Sequence, residues 1–469
     1  MGKQYEKGLF IFHRDLRIID NVGLIQAFIE CEKVYTCFIF TPEQVGSQNT
    51  FRSTNAIQFM IESLSELSSE IRKHGGELIV LYGNPTEMSR VLIRSLGVSA
   101  VFVNKDYSPY ALERESALAD VCKKHDVAYT EASDYYLYEP GSVTTTTGKY
   151  YQKFTPFYDA VVGRKVPGVY PYYKRYYQTL SKYSGNIAHK TTLDEMMRRY
   201  GGALVSDSSG RLVHGGRTEG IARLKHALKD QKRYSVDRDY LTYETTRLSA
   251  YIKFGCVSIR EVYHACVHAY GRSSGLIREL IWREFFAHVL YGFPRVLGGY
   301  TYKDVAWRKS TVDFTKWKHG NTGFPIVDAC MRELNETGYM HNRGRMIVAN
   351  FLVKTLLIHW KWGEQYFAQM LTDYDPASNN GNWQSISATG VDQKPYFRDM
   401  NPWIQSAKFD PEAEYIKRWV PELKDVVPRE IHKWDLYWND PKHRGIKYPK
   451  PMVFYGEQKA KMLEMYRNA

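Results

Sequence analysis

The chain has 469 residues, 43% of them hydrophobic and 25% charged, an ordinary globular balance with length for two or three domains rather than one. A formal net charge of +13 and a pI near 9.1 favour a polyanionic partner, although solvated surface lysines alone would give the same excess. The six cysteines (Cys31, Cys37, Cys122, Cys256, Cys266, Cys330) show no C-x-x-C or His-pair spacing, which argues against a metal site, an iron–sulfur cluster and a disulfide framework, and leaves buried thiols in a reducing compartment.

The charged start runs straight into Gly8–His13, so no signal peptide is expected. No apolar run has the length of a membrane span. The expectation is an intracellular, soluble protein of cytoplasm or nucleus, and a monomer. Along residues 1–135, apolar runs at Leu9–His13, Val34–Phe40, Leu78–Tyr82, Ala100–Asn104 and Val127–Thr130 alternate with helical periods. Ile57, Met60, Ile61, Leu64, Leu67 and Ile71 fall on one helix face. Glu87–Ser95 and Leu112–Lys124 also read as helices. This alternation implies an α/β domain built on a doubly wound parallel sheet. No G-x-G-x-x-G follows the first run, so no dinucleotide is expected there.

Residues 136–205 are rich in tyrosine, basic side chains, proline and glycine, and read as a connector. Residues 151–235 carry a local net charge of +10, which suits either a solvated linker or a DNA-facing rim. From 206 to 469 the strand patterns vanish and an all-α domain is expected. All ten tryptophans lie between Trp282 and Trp438, as bulk for a helical core or for a chemical purpose.

Three segments stand out chemically. Thr245-Thr246-Arg247-Leu248-Ser249, before a helical-looking stretch, suits an anion at a helix N-terminus, and a plain Thr/Ser helix cap equally. Glu279, Trp282 and Arg283 share a helix face at i, i+3 and i+4, as would an ordinary surface helix with an ion pair. Between Gly338 and Arg398 an Asn-Arg-Gly-Arg-Met element opens an apolar helix, and aspartates and asparagines then crowd a tryptophan. That mixture suits a planar, charged ligand.

Thr245–Ser249 (TTRLS), Glu279–Phe285 (ELIWREF), Gly323–Ala329 (GFPIVDA), Met340–Met346 (MHNRGRM) and Asn379–Trp383 (NNGNW) occur in this order. Together they resemble the flavin domain of the DNA photolyase/cryptochrome family, most closely the cyclobutane pyrimidine dimer photolyases. His13–Arg17 (HRDLR) and Trp419–Leu423 (WVPEL) extend the resemblance over nearly the whole chain. It implies an antenna-type α/β domain, a linker and a helical domain holding one non-covalent FAD, active when reduced. A second, antenna chromophore is possible in the family; Ser108 stands where folate-binding members carry a glutamate, so its identity stays open.

Carried over residue by residue, the resemblance gives Tyr234, Thr245, Thr246, Arg247, Leu248 and Ser249 to the FAD phosphates and ribityl chain. Arg345 and Asp373 would pair beside the flavin ring, with Arg283 and Asp375 nearby and Asn379 facing its reactive nitrogen. Trp383, Trp360 and Trp307 match the electron relay. Glu279, Trp282, Asn342 and Met346 would meet the flipped lesion, and Arg238, Arg343 and Arg398 would clamp DNA phosphates. Asn342 with Met346 follows the cyclobutane-dimer pattern. Ser385 departs from it, standing where a second tryptophan usually walls the lesion slot, a loss of about 1–3 kcal/mol in base stacking.

The resemblance thus implies a lyase acting on UV-damaged DNA, driven by light through electron transfer from reduced FAD to the lesion. The rivals are a cryptochrome-type blue-light receptor, against which little sequence follows Leu423, and a flavin-free nucleic-acid-binding protein.

Overall fold

In the computed structural model, which describes residues 3–201, 210–299, 301–392, 395–396 and 398–469, the five apolar runs pair into one parallel sheet. The strands are β1 (Tyr5–Phe12), β2 (Cys31–Phe40), β3 (Leu78–Tyr82), β4 (Ala100–Asn104) and β5 (Ala128–Ala132), in the order β3-β2-β1-β4-β5. Phe10 lies opposite Thr36 on one side and Phe102 on the other. Crossover helices cover both faces, so β4 is buried along its whole length. Each helix starts on a side-chain cap: Asn21 before Val22–Glu30, Ser53 before Thr54–Lys73, Asn84 before Pro85–Leu96, Ser108 before Pro109–Lys124. The six apolar residues expected on one face of the second helix are all buried. Ser108 is therefore a helix cap.

Packing divides the chain into two compact units. One joins the sheet and connector to Val213–Asp230 and Thr246–Pro294; the other is built chiefly from Gln231–Thr245 and Arg295–Ala469. A boundary at 206 therefore does not coincide with the one that packing draws. A change from strand to helix pattern reports the kind of element and not its neighbours. The connector is likewise more than exposed chain, since the helix Phe154–Val161 buries Phe154, Phe157 and Val161.

Charge locks the first unit together. Arg17 and Arg260, 2% and 3% exposed, grip the two carboxylate oxygens of Asp134 at 2.6 and 2.7 Å. Arg260 also reaches Asp20 at 3.1 Å. Burial opposes the Asp134 charge, but the two guanidiniums outweigh it and hold the carboxyl below its usual range. The Arg17 guanidinium donates to the carbonyl of Gly255, a residue with φ +66° whose added Cβ would fall 2.3 Å from the Arg14 carbonyl. Only glycine fits that approach.

In the second unit the helices Pro325–Thr337, Asn342–Asn350, Trp360–Met370 and Pro376–Ile386 surround a core containing Trp317, Trp360 and Trp434. A π-helical turn, Phe351–Thr355, continues the Asn342–Asn350 helix. All six cysteines are free and buried. Among the described residues no helix is long and apolar enough to cross a membrane, and no three His, Cys, Asp or Glu side chains gather as a metal site.

Candidate functional site

The helix Asn342–Asn350 begins where His341 accepts the Arg343 N–H at 3.1 Å. Asn342 is exposed, and its amide nitrogen lies 3.8 Å from the Met346 sulfur one turn on. Arg345, on the same helix, is held at both ends. Its Nε donates to the Met340 carbonyl and its Nη2 to Asp373 Oδ2, each at 2.9 Å. Burial works against the Arg345 charge, yet the adjacent Asp373 carboxylate raises its proton affinity above the ordinary value.

The helix Pro376–Ile386 forms the facing wall. Asp375 is its N-cap, accepting the Ser378 N–H at 3.0 Å, so that carboxylate serves the helix end. Asn379 donates to the Glu364 carbonyl at 3.0 Å and Asn380 to the Glu364 carboxylate at 2.7 Å. This anchoring leaves the Asn379 carbonyl oxygen as the amide's acceptor end. Trp383, 2% exposed, lies against Gly363, where an added Cβ would meet its Cη2 at 2.1 Å. Between the walls is a pocket of about 600 Å³, open solvent at its mouth included. Asn342, Arg345, Met346, Asp373, Asp375, Asn379 and Trp383 all line it, with Phe367, Tyr374 and Ile386 among the remainder. Its mixture of apolar walls and few polar groups is that of a cofactor site.

Glu364 is 3% exposed, and burial raises its carboxyl to about 7 against the Asn380 hydrogen bond. The fold therefore favours the neutral acid. Its stabilising contribution is complete below the ordinary carboxyl value of about 4.3 and is lost as pH rises through about 7. Glu364→Gln is expected to hold its melting temperature better than the parent between pH 5 and pH 8 (about three units,). An identical pH slope in the two thermal profiles would remove this account.

Of the tryptophans expected in a relay, two are buried and one is half-buried. Trp383 is near-buried, Trp360 is fully buried, and Trp307 is half-buried beside Leu357 and Tyr466. Trp383 contacts the rings of Phe367 and Trp317, and Trp360 sits one turn before Gly363 on the same helix.

Other expected site residues occupy different surroundings. In the second unit, Arg343 pairs with Asp239 at 2.6 Å and covers Phe409, so a phosphate contact would have to replace that pair. Arg238 lies over the Tyr234 ring. Thr245 meets the Tyr339 hydroxyl at 3.1 Å, and Arg398 is exposed. Ser385 is buried and donates to Asp392 at 2.8 Å; Ile386, not Ser385, lines the pocket.

In the first unit, Arg247 takes a left-handed φ of +50°, a costly conformation for a non-glycine residue and a mark of functional loops. The helix after it, Ser249–Lys253, has five residues, and Thr246 accepts the Leu248 N–H at 3.4 Å. On the helix Gly275–Gly292, Glu279 and Trp282 are half-buried. The Trp282 indole stacks on Phe154 with centroids 3.5 Å apart. Arg283 donates to Glu284 and to the Tyr135 carbonyl. Burial raises the Glu284 carboxyl to about 7.

Sequence reasoning missed Gly363 and Glu364. A lone glycine inside the helical run WKWGEQYF was the available signal, because such a residue costs about 1 kcal/mol unless something packs on it. Asp328 of the GFPIVDA run is structural, accepting the N–H groups of Thr322 and Gly323 and the Tyr448 hydroxyl.

Residues 9–169 match the family model for DNA photolyase, and residues 276–468 match the FAD binding domain of DNA photolyase. The chain is 33% identical to the deoxyribodipyrimidine photo-lyase of Halobacterium salinarum, over 98% of this chain and 99% of that one. A crystal structure of the archaeal photolyase from Sulfolobus tokodaii, described with two FAD molecules, superposes with a TM-score of 0.84 at 38% identity, covering 99% and 100% of the chains. A Synechocystis cryptochrome superposes with a TM-score of 0.88 at 26% identity, covering 99% and 100%. On full-length identity to several such enzymes, this chain belongs to the DNA photolyase family of FAD-binding DNA-repair lyases.

Proposed function

We propose that the chain splits cyclobutane pyrimidine dimers in UV-damaged DNA, using light absorbed by a reduced FAD held in the Arg345–Asn379 pocket. The observation that carries the reading is the composition of that pocket. One helix brings Asn342, Arg345 and Met346 to it, Asp373 pairs with Arg345 from the segment after Met370, and the facing helix brings Asn379 and Trp383. FAD, when bound there, supplies the electron that light releases. The protein's own groups do the rest.

Arg345 and Asp373 together add no net charge but offer a donor fork and a carboxylate at fixed positions, fitting the polar edge of a flavin ring. Asn379 contributes an amide and so no negative charge at the site where electron density must be kept. Its anchoring by Glu364 holds the amide in place before any ligand arrives. Asn342 and Met346 suit a pyrimidine pair, the amide for its polar edge and the thioether for its apolar face. The Trp282 indole, stacked on Phe154, is the flat ring proposed to meet a flipped base. Thr246–Ser249 and Tyr234 are proposed to hold the FAD phosphates and ribityl chain, and Arg238 and Arg398 the DNA backbone.

The test is to illuminate purified, reduced protein with a dimer-containing oligonucleotide and to count restored thymines. Restoration that requires light supports the reading. No restoration from flavin-loaded protein would favour the receptor reading, and colourless protein would sink both. In the same assay, Asn342→Ala with Met346→Ala is expected to cost about 1–3 kcal/mol of lesion affinity, from one hydrogen bond and one buried thioether. Flavin content should stay at the parent level. Loss of flavin instead would show that this helix face serves the cofactor.

A further inference from the structure

His359 immediately precedes the helix Trp360–Met370 and is half-buried. Its ring centroid lies 5.6 Å from that of Trp307 and 5.8 Å from that of Trp360, with interplanar angles of 50° and 34°. Among the described residues it is the one ring in contact with both indoles. We propose that His359 is a bridging member of the tryptophan relay, coupling Trp360 to Trp307 through its ring. This rests on the reading of Trp383, Trp360 and Trp307 as an electron relay.

Two features of the surroundings support it. Trp360 is fully buried and, among the described residues, its indole N–H has no hydrogen-bond partner. Among the described residues no side chain is placed to take the proton of an oxidised indole there, which favours relief of its positive charge by an electron from the next donor. Trp307, half-buried, is the donor within reach of water. The charge therefore has a direction to travel, and His359 is in contact with both rings.

The second feature is the state of the imidazole. Its Nδ1 accepts the Lys361 N–H at 3.1 Å as the helix cap, which assigns the remaining proton to Nε2. Burial, and then the Lys361 charge, lower its proton affinity. A neutral ring touching both indoles offers polarisable, bonded matter beside each. A cation there would repel the arriving positive charge.

The step balances as a single electron transfer. An electron leaves Trp307 and refills the oxidised Trp360, a light-excited flavin being the oxidant that starts the chain. No bond forms, and His359 is neither oxidised nor reduced. The Trp360 N–H stays on its ring, and the proton released afterwards comes from Trp307 to water.

Flash photolysis of the flavin-loaded full chain, following the absorption of indole radicals, tests the bridge with two variants. His359→Asn keeps a capping side chain but removes the ring; His359→Phe keeps a ring but removes the cap acceptor. The Asn variant is expected to lower the yield of the long-lived Trp307 radical severalfold, and the Phe variant to retain it. Parent-level yield in His359→Asn, or equal loss in both, would overturn the proposal. Trp360→Phe separates the two ideas, because unchanged radical formation in that variant rejects the relay itself. In the dark, the His359 Cε1 proton should show a ring-current shift that shrinks in Trp307→Phe; an unshifted resonance would also overturn the bridge.

Discussion

Asp373→Ala is expected to destabilise the protein by about 2–3 kcal/mol and to release most of its flavin. Removing one partner of a buried ion pair typically costs about 3–5 kcal/mol, because the surviving charge is left without compensation. The Arg345 side chain is 26% exposed and that of Asp373 7%, so water recovers part of the loss and the figure falls. Arg345 would keep its bond to the Met340 carbonyl and remain near its place, still charged but unpaired. Asp373→Asn preserves shape and should do less damage. Urea unfolding with and without added FAD reads both effects. A variant as stable as the parent that also retains its flavin would show that the pair is dispensable.

Gly363→Ala is expected to destabilise the protein by about 1–3 kcal/mol although it improves helix propensity. In an open helix the change gains about 1 kcal/mol. Here the new methyl would fall 2.1 Å from Trp383 Cη2, 2.5 Å from Cζ3 and 2.7 Å from Leu352 Cδ2, overlaps that force side chains off their rotamers. The Leu352 methyl can yield a little, but the rigid indole must move as a body. Because Trp383 lines the pocket, its displacement should lower flavin content as well as melting temperature. A more stable Ala variant with full flavin occupancy would refute the packing argument. No backbone strain is involved, since this glycine sits inside a regular helix.

The sheet was legible because its strands are short apolar runs separated by capped helices. Leu78–Tyr82 and Ala100–Asn104 were readable to the residue. Val22–Glu30 was not, because nine residues with five buried show too few turns for a period to emerge from an apolar background. The pocket was legible through resemblance, which brought Asn342, Arg345, Asp373 and Asn379 to one cavity. Charge commitments were not. That Asp375 caps a helix and that Arg343 pairs with Asp239 depend on distances that one-dimensional spacing does not carry. Ser385 is instructive in the same way. Its absence of an aromatic ring is visible in the sequence, but its bond to Asp392 depends on a loop that returns seven residues later. Gly363 and His359 carry no motif at all, and their interest comes from the tryptophans beside them.

Asp134 closes the last strand of the sheet, yet one of its two guanidinium partners is Arg260, supplied more than a hundred residues later. While the chain is being made, the ribosome delivers every strand well before that partner emerges. During this interval Asp20 and Asp134 must stay hydrated or share Arg17 alone, which keeps the end of the sheet from closing dry. The order of synthesis thus makes the final sealing of the N-terminal fold wait for a helix that joins the sheet's unit from beyond the connector. A fragment cut at the end of the connector would carry all five strands and still lack the charge that completes them.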